Sequence, residues 1–159
     1  MDFGELRMNS RSLLTLATLA AFSLTAGVAT AAEPDDVINY RKQVMEAVGA
    51  NTTALGLIVQ GKVPHEDSFL AHAEMLAKAS SLSKAAFREN TAGKGREKTT
   101  AKAEIWKDWA KFEKGLDTLE AQTAELVKLA SEGGVKAAAP KLREIFGTCK
   151  SCHDDFRTK

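Results

Sequence analysis

Residues 105–127 read Ile105-Trp106-Lys107-Asp108-Trp109-Ala110-Lys111-Phe112-Glu113-Lys114-Gly115-Leu116-Asp117-Thr118-Leu119-Glu120-Ala121-Gln122-Thr123-Ala124-Glu125-Leu126-Val127, and this stretch decides the fold. Ile105, Trp106, Trp109, Phe112, Leu116, Leu119, Thr123, Leu126 and Val127 recur at intervals of three and four. That spacing puts them on one face of an α-helix starting near Ala103 and running about seven turns. Gly133-Gly134 ends the pattern, as a helix stop should.

Outward from this helix the chain repeats the design. Upstream, the polar segment Arg88 to Lys102 contains Gly93 and Gly95 and reads as a loop. Before it, Pro64 and Asp67 open a second amphipathic stretch with Phe69, Leu70, Ala73, Leu76, Ala77, Leu82, Ala86 and Phe87 inward. The first stretch opens at Glu33-Pro34-Asp35-Asp36, a proline and acids suited to a helix N-terminus. Val37, Tyr40, Val44 and Val48 form its stripe, with Ile38 and Met45 alongside, and Gly61 stops it. Gly49 and Gly56 inside it each cost about 1 kcal/mol relative to alanine. They read as close approaches to something flat or to another helix, or as tolerated defects. Downstream, Val135, Ala138, Ala139, Leu142, Ile145, Phe146, Cys149, Cys152, His153 and Phe156 form a fourth helix, expected to become regular near Pro140.

Strand signals are missing: no Val/Ile/Thr-rich alternation and no Asn-Gly hairpin follows residue 32. Four helices of this length with short connections predict an all-α, antiparallel up-down-up-down four-helix bundle over residues 33–159. Basic and acidic residues number 22 and 21, and no Lys/Arg run could track phosphates, which argues against a nucleic-acid partner. A chain that is 44% hydrophobic is not a disordered one. Residues 1–32 read as a cleaved secretory signal: Arg7 and Arg11, the apolar run Leu13 to Leu24, then Ala29-Thr30-Ala31. Translation starting at Met8 would give a cleaner basic region. The mature chain has no further run long enough to span a membrane, and a periplasmic location is expected.

The two cysteines stand in Cys149-Lys150-Ser151-Cys152-His153, the C-x-x-C-H pattern of covalent haem c attachment. On a helix, residues three and four apart share a face, so both thiols reach the vinyl groups on one porphyrin edge. His153 then presents its imidazole as an axial iron ligand. The rivals are weaker. A redox dithiol expects a βαβ setting, zinc would have to recruit His65 or His72, and a disulfide three residues apart on a helix is strained. Only six residues follow His153, so a protein sixth ligand must come from an earlier helix. Met45 and Met75 are the methionines left after signal removal. Met45 has two readings, a distal iron ligand or core packing. Arg41, one turn before it, is either a charge-assisted partner of a haem propionate or a solvated arginine. Arg157, four residues after His153, shares its face and is a second haem-edge candidate.

Length, four helices and the ending Cys149-Lys150-Ser151-Cys152-His153-Asp154-Asp155-Phe156-Arg157 together resemble the cytochrome c′ family. The resemblance extends to Tyr40-Arg41-Lys42-Gln43-Val44-Met45, to Val59-Gln60-Gly61-Lys62-Val63-Pro64 and to Glu104-Ile105-Trp106. It implies one haem c and two branches. In the high-spin branch iron is five-coordinate and takes up NO or CO. In the low-spin cytochrome c-556 branch a first-helix methionine binds iron and the protein carries single electrons. Met45 and the run Asn51-Thr52-Thr53-Ala54-Leu55-Gly56 resemble the low-spin branch, so the expectation is a non-enzymatic electron carrier with His153 and Met45 as axial ligands. Its redox partners are not readable from the chain, and the resemblance allows a homodimer through first- and second-helix surfaces.

Overall fold

The computed structural model describes residues 32–159; the expected signal segment, Ala32 apart, lies outside them. Helix α1 spans Pro34–Val59, with proline in the first turn and Asp35 and Asp36 beside the orphan N–H groups they favour. It stops where Gly61 takes φ 64°, a left-handed turn that glycine adopts without steric cost. Helix α2 spans Phe69–Phe87 after a 3-10 turn at Glu66–Ser68. Residues 88–102 form the expected loop. The short α3, Glu104–Lys107, precedes α4, Trp109–Phe156.

Two expectations about α3 and α4 are corrected. The third helix is not continuous from Ala103. Asp108 breaks it at φ −124°, ψ 59°, and its side chain accepts a hydrogen bond from Lys111 N, starting a new helix. Aspartate competes with the helix in this way wherever it can cap. Pro140 does not delay the fourth helix, which is helical from residue 135. The proline is exposed, so the carbonyl it leaves without a partner is free to face water. Within α4, Gly133 (φ −144°) and Gly134 (φ 62°, ψ −157°) reverse the chain, giving a first arm, 109–132, and a second arm, 135–156. With α1 and α2 these arms make the antiparallel four-helix bundle, and no strand is present among the described residues.

The buried face of α1 runs Ile38, Arg41, Val44, Val48, Thr52, Leu55, while Tyr40 is 52% exposed. Reading apolar letters alone chose Tyr40 and passed over Arg41. Two clusters fill the interior. One is aliphatic, around Leu55, Ile58, Phe69, Leu76, Leu126, Leu142 and Ile145. The other is aromatic, with Phe87, Phe112 and Phe156 around Val44, Ile105 and Leu116. Met45 packs against both.

The long loop is tied down at three places. Asp35 Oδ1 accepts from Arg96 N (2.6 Å) and Glu97 N (2.9 Å). Lys102 N donates to Phe156 O (2.9 Å) and Thr158 N to Thr100 O (2.8 Å), clipping the loop to the end of the second arm. Arg41 donates to Ala86 O (3.3 Å), Glu89 O (3.3 Å) and Thr91 Oγ1 (3.0 Å).

Candidate functional site

A cavity of about 850 Å³ opens at the aromatic end, within the usual range of about 300–1,000 Å³ for ligand sites. Arg41, Met45, Val48, Gly49 and Thr52 of α1 line it, with loop residues 98–101 and Phe112, Gly115, Leu116 and Leu119 of the first arm. The second arm brings Thr148, Cys149, Cys152, His153, Phe156 and Arg157 to the same space. The turn that carries the C-x-x-C-H pattern is therefore helical, and its three chemical side chains meet one hollow.

Both cysteines are free and half-buried. Burial pushes the Cys149 thiol above its ordinary value. Cys152 is pushed up to about 11, by burial first and then by Cys149 and Asp155. Low-pKa redox dithiols show the opposite shift. Among the described residues no group of three His, Cys, Asp or Glu is placed to hold a metal ion. Burial, and next the positive charge of Arg157, lowers the His153 pKa, leaving a neutral imidazole at neutral pH with a nitrogen lone pair to give.

The walls fit a broad, flat, mostly apolar group with an acidic edge. A Cβ built on Gly49 or Gly115 would meet nothing within 4 Å, so both glycines leave room rather than fill a tight packing contact. Gly56, by contrast, would put its Cβ 3.2 Å from Phe146 Cζ, and is a true helix-to-helix approach. Arg41 is only 2% exposed, which rules out the solvated reading. Its guanidinium lies 5.0 Å from the Phe87 ring and 4.9 Å from the Trp106 ring, and its Nη1 is buried without a partner. Burial lowers its pKa, partly offset by Glu89, and an arginine remains charged through such a change. A cation with an unused donor on the wall of an apolar cavity is what a buried carboxylate would pair with.

The other candidates separate cleanly. Arg157 lines the cavity from an exposed position. Met75 is 49% exposed and does not line it. His65 is exposed, and His72 Nδ1 lies 3.0 Å from Asn51 Oδ1, away from the cavity. Sequence reasoning missed Gly115, Thr148 and the wall segment 98–101. Gly115 carried a readable signal, a glycine on the inward side of the strongest helix. The loop residues carried none, because their position depends on the clip to residues 156–158.

A family model described as Cytochrome C′ matches residues 36–157. A cytochrome c′ of Rhodospirillum rubrum is 35% identical over 147 residues, covering 92% of this chain and 98% of that one. Among solved structures, cytochrome c prime from Shewanella frigidimarina superposes with a TM-score of 0.72 at 26% identity, covering 80% of this chain and 98% of that one. A nitric oxide complex of a cytochrome c prime variant from Alcaligenes xylosoxidans gives a TM-score of 0.70 at 27% identity, with 80% and 98% coverage. These findings overturn the expected low-spin, methionine-ligated electron carrier. The curated relatives are named cytochrome c′, and solved neighbours hold NO. The physical reason lies in Met45 itself: a methionine on an apolar helix face packs without any metal, so its presence does not decide ligation.

Proposed function

Because this chain belongs to the cytochrome c′ family, whose members carry covalently attached haem c, we propose that it is a five-coordinate haem protein that takes up NO and CO. When bound, haem c would supply an iron able to take up a diatomic gas. Cys149 and Cys152 would hold the group as thioethers, and His153 would ligate its iron through a neutral imidazole. Arg41 Nη1 would pair with a haem carboxylate, and Arg157, which lines the same cavity, would offer a second cation to it. Met45 would pack against the group, keeping its surroundings apolar and excluding water. Thr52 turns its hydroxyl back to Val48 O at 2.6 Å and so offers no donor to a bound gas. The observation that carries the reading is the convergence of two free cysteines, His153 and two glycine positions with open space beside them on one cavity.

In this reading residues 1–32 are a cleaved signal, 33–159 form the mature periplasmic bundle, and no described helix is long and apolar enough to cross a membrane. A homodimer would use the exposed Tyr40 and Leu57 of α1 with Met75 and Leu82 of α2.

The test is the spin state of the purified haem protein by EPR and optical spectroscopy, with and without CO. The expected ferric spectrum is high-spin, and the ferrous form takes up CO. Met45→Ala leaves the spin state unchanged and speeds CO uptake about tenfold, a barrier change of roughly 1.4 kcal/mol. A low-spin spectrum that Met45→Ala converts to high-spin would overturn the proposal.

A further inference from the structure

The charges of the described chain are unevenly placed. Segments 94–102 and 157–159 hold six basic residues against one acid, Glu97, while the rest of 33–159 holds 14 basic residues and 18 acids. The two basic segments are one surface, because the clip of Lys102 N to Phe156 O and Thr158 N to Thr100 O joins them. Lys98 and Arg157 line the cavity, so this surface is the rim of its opening.

Three features separate this rim from an ordinary solvated loop. Its one acid is already neutralised, since Glu97 pairs with Lys42 at 3.4 Å. Lys94, Arg96, Lys98, Arg157 and Lys159 are exposed and enter no ion pair among the described residues. The loop is also held in shape: Gly95 takes φ +74°, and Asp35 Oδ1 accepts the two following amides, so Lys94, Arg96 and Lys98 are presented from a fixed turn. Nearby acids are Glu46 on the cavity wall, Asp35, and Asp154 and Asp155, the last two paired with Lys150 and Lys111. Even if both carboxylates of a bound haem were counted against it, the rim would keep an excess of positive charge.

We propose that this rim is the docking surface for an acidic one-electron donor protein that reduces the iron to the ferrous form that binds CO. The inference rests on the haem reading of the cavity. The step would be a single electron transfer, in which the donor loses the one electron that a bound ferric haem would gain, with no proton or bond changing hands. Complementary charge around the opening sets the approach and the on-rate, and steering of this kind weakens as salt shortens the Debye length. An anionic membrane would meet the same charges but would also want apolar side chains to insert. The exposed large hydrophobics Tyr40, Leu57, Met75, Leu82 and Phe146 all lie off the rim.

The experiment uses the haem-loaded full bundle with reduced flavodoxin, an acidic protein, as the donor probe, and neutral lumiflavin semiquinone as the control, in stopped-flow reduction. The expected result is a flavodoxin rate that falls at least about tenfold between low and high ionic strength. The triple variant Lys94→Glu, Arg96→Glu, Lys159→Glu, at rim positions that do not line the cavity, should lose a similar factor at low salt while its lumiflavin rate and CO-bound spectrum stay unchanged. A flavodoxin rate indifferent to salt, an equal loss with lumiflavin, or charge-dependent binding to phosphatidylglycerol vesicles without any effect on flavodoxin each overturns the docking proposal. A protein that shows no ferrous CO spectrum at all indicts the haem reading instead.

Discussion

The two ends of this bundle are built from the same helices by opposite rules. At one end Leu55, Leu76, Leu126, Leu142 and Ile145 are 0–1% exposed and close on each other. At the other, Gly49, Gly115, Thr52 and the two cysteines face a hollow that the helices alone leave open. The aliphatic end is a core in the ordinary sense, complete without help. The aromatic end lines a cavity instead of closing on itself, and haem c is the group that the family places with such a C-x-x-C-H turn. Helical periodicity describes both equally well; what separates them is residue volume at a few inward positions.

The sharpest way to break that contrast is to prevent attachment. Cys149→Ala with Cys152→Ala should lower stability by about 4 kcal/mol or more, the effect of losing a ligand held at a thousandfold its dissociation constant. Hydrogen exchange should quicken around Phe112, Leu116 and Phe156 and stay slow around Leu126 and Leu142. Equal quickening at both ends would mean the bundle has a single core. Next, Leu55→Ala should cost about 3 kcal/mol in urea unfolding, with or without haem, since it opens a cavity where nothing can collapse to fill it. Leu116→Ala should cost clearly less in the haem-free protein, because Leu116 lines the cavity and Leu55 is enclosed by other side chains.

A smaller effect separates the glycines. Gly49→Ala should stabilise the haem-free bundle by about 1 kcal/mol through helix propensity. Gly56→Ala should gain little, because its Cβ meets Phe146 at 3.2 Å. Thermal unfolding of the two variants side by side reads this directly. The smallest effect is local. Hydrogen bonds from the Glu97 and Arg96 amides, with the charge of Arg96, hold the Asp35 carboxyl below its ordinary range. A depressed acid contributes its contact above the ordinary carboxylate pKa and loses it as pH falls through the lowered value. The Arg96 and Glu97 amide resonances should therefore move together on acidification below the ordinary aspartate value of 3.8, and Asp35→Asn should abolish that titration.

The site was legible where chemistry and spacing coincide. Cys149, Cys152 and His153 announce themselves in five residues, and the bundle follows from four apolar periodicities. Arg41 was legible only as a charge near Met45: its burial between Phe87 and Trp106 depends on partners 45 to 65 positions away, which no local pattern reports. The break at Asp108 was hidden for a different reason, since a capping aspartate inside an unbroken apolar rhythm leaves that rhythm intact. Met45 taught the reverse lesson. Its position was readable, but a thioether looks the same whether it binds a metal or fills a gap.

The short clip between residues 100–102 and 156–158 also makes one unit of two distant parts of the chain: it fastens the wall segment 98–101 to the end of the arm that carries Cys149, Cys152 and His153. A change that loosens either partner therefore reaches the other through two backbone hydrogen bonds, without passing through the helical core.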